Sequence, residues 1–157
     1  MIKVQEEDFS LTDEITFLKK RCNNIGALST FIGIVRDKRE DEKLVSMTLE
    51  HYPGMTEKML NKINTEALSR WDLLDTTIIH RYGKLYVSDK IVLVACFSEH
   101  RNNSFEACKF IMDYLKKDAP FWKKEFYNKG FSWLQNTNSV PYTHLRAHET
   151  NSNLVLR

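Results

Sequence analysis

The sequence predicts an α+β fold in a single domain, with an antiparallel sheet component. Two observations carry this. The segments that read as strands are grouped in pairs, in the order β-α-β-β-α-β-β-α-α-β, which favours antiparallel pairing over a doubly wound parallel sheet. A chain of 157 residues with 42% apolar content supplies one real core and is too short for two.

Ser10 precedes Leu11-Thr12-Asp13-Glu14, and Lys19, Lys20 and Arg21 stand at the far end. A capping hydroxyl, early acids and late bases match the dipole at both ends of a helix over 11–22. Gly26 opens Ala27 to Arg36, rich in β-branched and apolar residues, which predicts a strand followed by an exposed charged loop over Asp37 to Lys43. Leu44 to Tyr52 reads as a second strand. Pro53-Gly54 then starts a helix to about Trp71, with Met55, Met59, Leu60, Ile63 and Ala67 at helical spacing.

Two β segments follow, about Thr76 to Val87 and Lys90 to Ser98, joined by Ser88-Asp89 as a hairpin. Asn102 or Asn103 caps a helix through Leu115, whose Phe105, Cys108, Ile111, Met112 and Leu115 form one apolar stripe of the kind that packs into a core. Pro120 ends that helix and starts a short second one, Phe121 to Tyr127. Gly130 then releases the chain into Phe131-Ser132-Trp133-Leu134.

From about Val140 the pattern breaks. Pro141-Tyr142-Thr143-His144-Leu145-Arg146-Ala147-His148-Glu149-Thr150 has no periodicity and no edge suited to a core. The folded domain is therefore expected over 1–139. Residues 140–157 are expected to be a disordered tail or a translated sequencing-library adapter, one frame of which encodes Tyr-Thr-His-Leu-Arg-Ala-His-Glu-Thr. On the second reading the metal-like i, i+4 spacing of His144 and His148 has no chemical meaning.

Composition excludes several functions. The 23 basic and 21 acidic residues leave a formal charge of +2, so no global field favours nucleic acid. Cys22, Cys96 and Cys108 are odd in number and lack ligand spacing, which argues against a disulfide framework or zinc site and for reduced core thiols. The N-terminus turns acidic at Glu6, Glu7 and Asp8, unlike a signal peptide, and no apolar run nears the roughly 20 residues of a membrane span. A cytoplasmic protein that uses no metal or cofactor is the expectation.

Phosphate loops, GxSxG elbows, HExxH and CxxC are all absent from the sequence. What remains is a set of cations at the ends of elements: Arg36 after the first core strand, His100-Arg101 after Ser98, Lys116 at the end of the long helix, and Lys123-Lys124 beyond Pro120. Arg36 and Arg101 suit bidentate contacts to phosphate or carboxylate, a lysine crowded by cations can act as base or nucleophile, and His100 suits proton transfer. The plainer alternative is solvated charge and helix-dipole complement at element ends. By chemistry alone these residues define an anion site and nothing narrower.

The same residues lie in segments that resemble the molybdopterin synthase large-subunit family, from about Gly26 to Trp133. The segments are Gly26-Ala27 with Phe31-Ile32-Gly33-Ile34-Val35-Arg36, then Leu49-Glu50-His51-Tyr52 with Met55, Glu66-Ala67 with Arg70-Trp71, and His80-Arg81-Tyr82-Gly83. Ser98-Glu99-His100-Arg101, Met112-Asp113-Tyr114-Leu115-Lys116 and Ala119-Pro120-Phe121-Trp122-Lys123-Lys124-Glu125 complete them. Their order and spacing together are specific where each alone is weak.

The resemblance implies an α/β-hammerhead and a homodimer of large subunits, with a small ubiquitin-like sulfur-carrier subunit docked at each end. That subunit carries a thiocarboxylate on its C-terminal Gly-Gly and delivers two sulfurs to cyclic pyranopterin monophosphate, forming molybdopterin. The implied roles are Lys116 as principal acid/base or covalent group, Lys123 as its assistant, and Arg36, His100 and Arg101 as substrate anchors. One departure stands out: where the family continues Val-Glu-Ala-Arg after its Trp, this chain has Leu134-Gln135-Asn136-Thr137, so Thr137 replaces an expected Arg. The competing classes are a non-catalytic module that binds an anion or a peptide C-terminus, and a phosphate-ester hydrolase, which the lack of a carboxylate and metal-ligand cluster disfavours.

Overall fold

The computed structural model describes residues 1–39, 42–127, 130–135 and 155–156. In its first sheet, β1 (Ile2–Gln5) runs parallel to β5 (Asp75–Arg81); β5 pairs antiparallel with β7 (Lys90–Ser98), and β7 with β2 (Ala27–Ile34). The second sheet runs β10 (Val155–Leu156), β9 (Gly130–Gln135), β8 (Phe121–Tyr127), β4 (Glu42–His51) and β3 (Lys38–Arg39), with β6 (Gly83–Tyr86) also paired to β4. Three helices, α1 (Leu11–Arg21), α2 (Met55–Arg70) and α3 (Arg101–Lys117), complete the described elements. The expected mixed α+β architecture with antiparallel sheets is the one observed.

The helices form for the reasons the sequence suggests. The Ser10 hydroxyl caps α1 by accepting from the Asp13 amide at 3.3 Å, and the Cys22 amide closes the helix on Leu18. At the head of α2, Gly54 adopts φ +85, a conformation that costs L-residues, and its amide donates to the Glu57 carboxylate at 2.7 Å. Leu60, Ile63 and Ala67 of α2 and Ala107, Cys108, Ile111 and Leu115 of α3 bury together against Ile78, Val92, Val94 and Cys96 of the first sheet. The opposite face of that sheet buries Ile79, Leu93 and Ala95 under Phe9. Because β7 is covered on both faces, it reads as a continuous apolar run with no strict alternation.

Three expectations need correction. Phe121 to Tyr127 is a strand and not a helix: it pairs with β4 from His51↔Phe121 to Leu44↔Tyr127. Phe, Trp and Tyr fit a pleated, half-buried surface, and tertiary pairing outweighs the helix-start signal of Pro120. The segment Thr76 to Val87 is not one strand either. Gly83, at φ +87, turns the chain so that β5 stays in the first sheet while β6 joins β4 in the second. Ser88-Asp89 therefore ends a crossing between sheets, closed by Asp89 N to Tyr86 O at 3.0 Å, and not a hairpin between paired strands. Finally, α3 begins at Arg101 with His100 at the cap position, ahead of the asparagines expected there.

Of the charged loop, Lys38–Arg39 forms β3 against β4. Cys96 and Cys108 are buried free thiols as expected, whereas Cys22 is only half-buried. Among the described residues no helix is long and apolar enough to cross a membrane. Thr137, His144 and His148 lie outside the described residues, as does the expected boundary near Val140; of the tail, Val155 and Leu156 pair parallel with Leu134 and Gln135.

Candidate functional site

His100 and Arg101 sit where β7 hands over to α3, and both are exposed. The turn is tightly tied to the start of β2. The Gly26 amide donates to Ser98 O at 3.0 Å, the Ser98 hydroxyl donates to His100 O at 2.6 Å, and Asn24 Nδ2 donates to Glu99 Oε1 at 2.8 Å. A Cβ on Gly26 would lie 1.9 Å from the Glu99 carbonyl oxygen, so only glycine allows this approach.

From that turn α3 runs back along β7. Ser104 meets Ser29, which lies opposite Cys96, with 2.9 Å between hydroxyls; one turn later Cys108 lies 4.0 Å from the Val94 carbonyl. Four helical residues, about 6 Å, therefore match two strand residues, about 6.6 Å. Continuing at that pitch, Lys116 comes level with Lys90, at the start of β7. Arg36 lies there as well, two residues beyond Ile34, which pairs with Lys90. Both side chains are exposed.

Lys123 belongs to the same end. The Ala119 carbonyl accepts from the Phe121 amide at 2.8 Å as the chain turns from α3 into β8. Phe121 then stacks on His80, whose strand partner is Val92. Lys123 is half-buried, opposite the buried Leu49, on the face of β8 shared by Phe121 and Glu125.

The five cations thus divide into two groups within one chain. By register and pitch, Arg36, Lys116 and Lys123 lie toward the Lys90 end of β7, and His100 and Arg101 stand at the Ser98 end. Two rulers give the separation: fifteen helical rises from Arg101 to Lys116, about 22 Å, and eight strand rises from Lys90 to Ser98, about 26 Å. Lys116 is in the last turn of α3 and Lys123 is on β8, so the two share no helix face.

Beside Lys123 lies a group that reasoning from charge missed. His80 is buried, and its ring lies 3.6 Å from that of Phe121 at an interplanar angle of 14°. Burial holds its pKa down to about 4, helped by the charges of Lys123 and His51, while its hydrogen bond to Arg81 O opposes the shift. His51 lies 4.5 Å from the Tyr82 ring and 6.1 Å from Phe121. The only sequence signal for these histidines is that both lie within segments that carry the family resemblance.

The comparisons with known proteins follow the same segments. The family model described as MoaE protein matches residues 4–118. The molybdopterin synthase catalytic subunit of Ralstonia nicotianae is 54% identical over 133 residues, covering 85% of this chain and 76% of the relative. Among solved structures, the molybdopterin biosynthesis MoaE protein of Burkholderia ambifaria superposes with a TM-score of 0.76 at 46% identity, covering 94% of this chain and 96% of that one. Molybdopterin synthase from Staphylococcus aureus reaches the same TM-score of 0.76 at 31% identity, covering 83% and 94%. With a matching family model over most of its length and relatives this similar, the chain belongs to the MoaE protein family.

Proposed function

We propose that this chain is the catalytic subunit of a molybdopterin synthase, a sulfurtransferase of molybdenum cofactor biosynthesis acting in the cytoplasm. It transfers two sulfurs, in turn, from the C-terminal Gly-Gly thiocarboxylate of a small ubiquitin-like subunit to cyclic pyranopterin monophosphate. The observation that carries the reading is a fold of this family in which Arg36, Lys116 and Lys123 all lie toward the Lys90 end of β7.

The chemistry fits that grouping. A thiocarboxylate and a phosphate ester are both anions and repel one another, so a pocket that brings them into contact has to supply positive charge. Arg36 offers a planar fork for the phosphate. Lys116 serves as principal acid/base or covalent group, with Lys123 assisting, and holding donor and acceptor together supplies proximity. His100 and Arg101, as anchors, reach the same substrate only from a second copy of the chain, and a homodimer of large subunits provides one.

Reconstitution tests the reading. The chain, mixed with thiocarboxylated small subunit and cyclic pyranopterin monophosphate, is expected to yield the dithiolene product. Binding of both without turnover would instead make it a non-catalytic anion- or peptide-binding module. Lys116→Ala is expected to abolish product while small-subunit binding persists; near-normal turnover would refute the role given to Lys116.

A further inference from the structure

Four rings pack around the start of β8: His51 from β4, His80 from β5, Tyr82 just beyond β5, and Phe121 itself. The hydrogen bonds fix which nitrogen of each imidazole carries a proton. His80 Nδ1 lies 2.9 Å from Arg81 O, and a carbonyl only accepts, so Nδ1 donates. His51 Nδ1 lies 3.1 Å from the Thr56 hydroxyl, which gives its one proton to Tyr52 O at 2.9 Å, so His51 Nδ1 donates too. Each ring is thereby pinned in rotation by a bond at Nδ1; His51 sits tilted against Tyr82 and Phe121, and His80 presents a flat face. The His80 face is taken by Phe121, nearly parallel to it.

This packing matters because of what lies two residues on. Side chains at i and i+2 of a strand share a face, so whatever orients Phe121 sets the point from which Lys123 leaves the sheet. Lys123 starts opposite the buried Leu49, where a protonated imidazole would add a second positive charge beside it. A buried, neutral His80 supplies a rigid, stackable surface without that repulsion, and a leucine in its place would supply neither the plane nor the tie to Arg81 O.

We propose that His80 is a positioning residue for Lys123, acting through the stacked Phe121 ring. The proposal deepens the reading of Lys123 as an assisting group and rests on it for its role in turnover; its structural half is independent of the reaction.

The test measures Lys123 directly. The full chain is labelled with trace acetic anhydride and acetylation is quantified lysine by lysine by peptide mass spectrometry, in wild type, His80→Ala, His80→Phe and Phe121→Leu. Loosening Lys123 from its half-buried seat is expected to raise its labelling rate about threefold or more in His80→Ala and Phe121→Leu. His80→Phe, which restores a stacking plane, stays within about twofold of wild type. Lys124, on the opposite face of β8, is unchanged throughout. In the reconstituted synthase, kcat of the two loosened variants falls at least about fivefold while KM for the small subunit moves less than about twofold.

If His80→Ala does not fold, Phe121→Leu, which keeps apolar bulk, decides alone. Unchanged Lys123 labelling in folded Phe121→Leu, or an equal rise at Lys124, overturns the proposal. The expected labelling pattern in a chain that makes no product would leave His80 as the positioning residue and remove sulfur transfer instead.

Discussion

His80 illustrates how a single residue links stability to pH. Its folded pKa of about 4 lies below the ordinary value of 6.5, chiefly through burial, so between these pH values the unfolded chain takes up a proton that the folded one refuses. Its contribution to stability is therefore complete above 6.5 and is lost as pH falls toward 4. Between pH 7 and pH 5 the loss is about 2 kcal/mol, from the linkage relation with those two pKa values. Urea unfolding of wild type at the two pH values should register this loss, and His80→Phe should lack it. A variant that loses as much as wild type would place the acid sensitivity elsewhere. The charged candidates were visible in the sequence because charge is a property of one residue. The stacked His80 was not, because its partner Phe121 is distant in the chain and belongs to the other sheet.

At the scale of elements, the helices were the legible part. α1, α2 and α3 fall close to their expected spans because caps, dipole-matched ends and apolar stripes are written within a few residues of one another. β8 was not legible, since Pro120 followed by Phe-Trp-Lys-Lys-Glu also satisfies a helix start, and only its register against β4 settles the matter. The split of 76–87 between two sheets has the same origin: its length suited one strand, and the positive φ of Gly83 divides it. The turn that carries His100 and Arg101 yields a prediction at this scale. Gly26→Ala forces its Cβ against the Glu99 backbone, where no flexible side chain is available to yield. The variant is expected to lose about 2 kcal/mol or more of stability, measured by denaturant unfolding. Reconstituted turnover should fall with it, because His100 and Arg101 are displaced. Wild-type stability and turnover would mean that the turn relaxes freely.

For the whole molecule, the decisive fact is the length of α3. It separates His100 and Arg101 from Lys116 by about 22 Å, more than any of these side chains spans, so a site using all of them draws on two copies. Mixing experiments test this. Arg101→Ala and Lys116→Ala, each inactive alone, are expected to regain activity when their subunits are exchanged, because a hybrid dimer holds one site with both residues intact. With random exchange half the dimers are hybrids and each has one working site, so recovery approaches about a quarter of wild type. No recovery after verified exchange would put both residues at one site within one chain, or outside the site altogether.

The sequence by itself determined the composition class, the approximate spans of the three helices and most of their buried positions, the inventory of cations, and the ordered segments that resemble one family. Those features depend on neighbours within a turn or two, or on residue identity alone. Only the tertiary structure decided that Phe121 to Tyr127 is a strand, that His80 is buried and neutral beside Lys123, and that the cations fall at opposite ends of β7. Each of these depends on strand register and on the antiparallel path of α3 over the sheet, which are long-range contacts that local propensity does not encode.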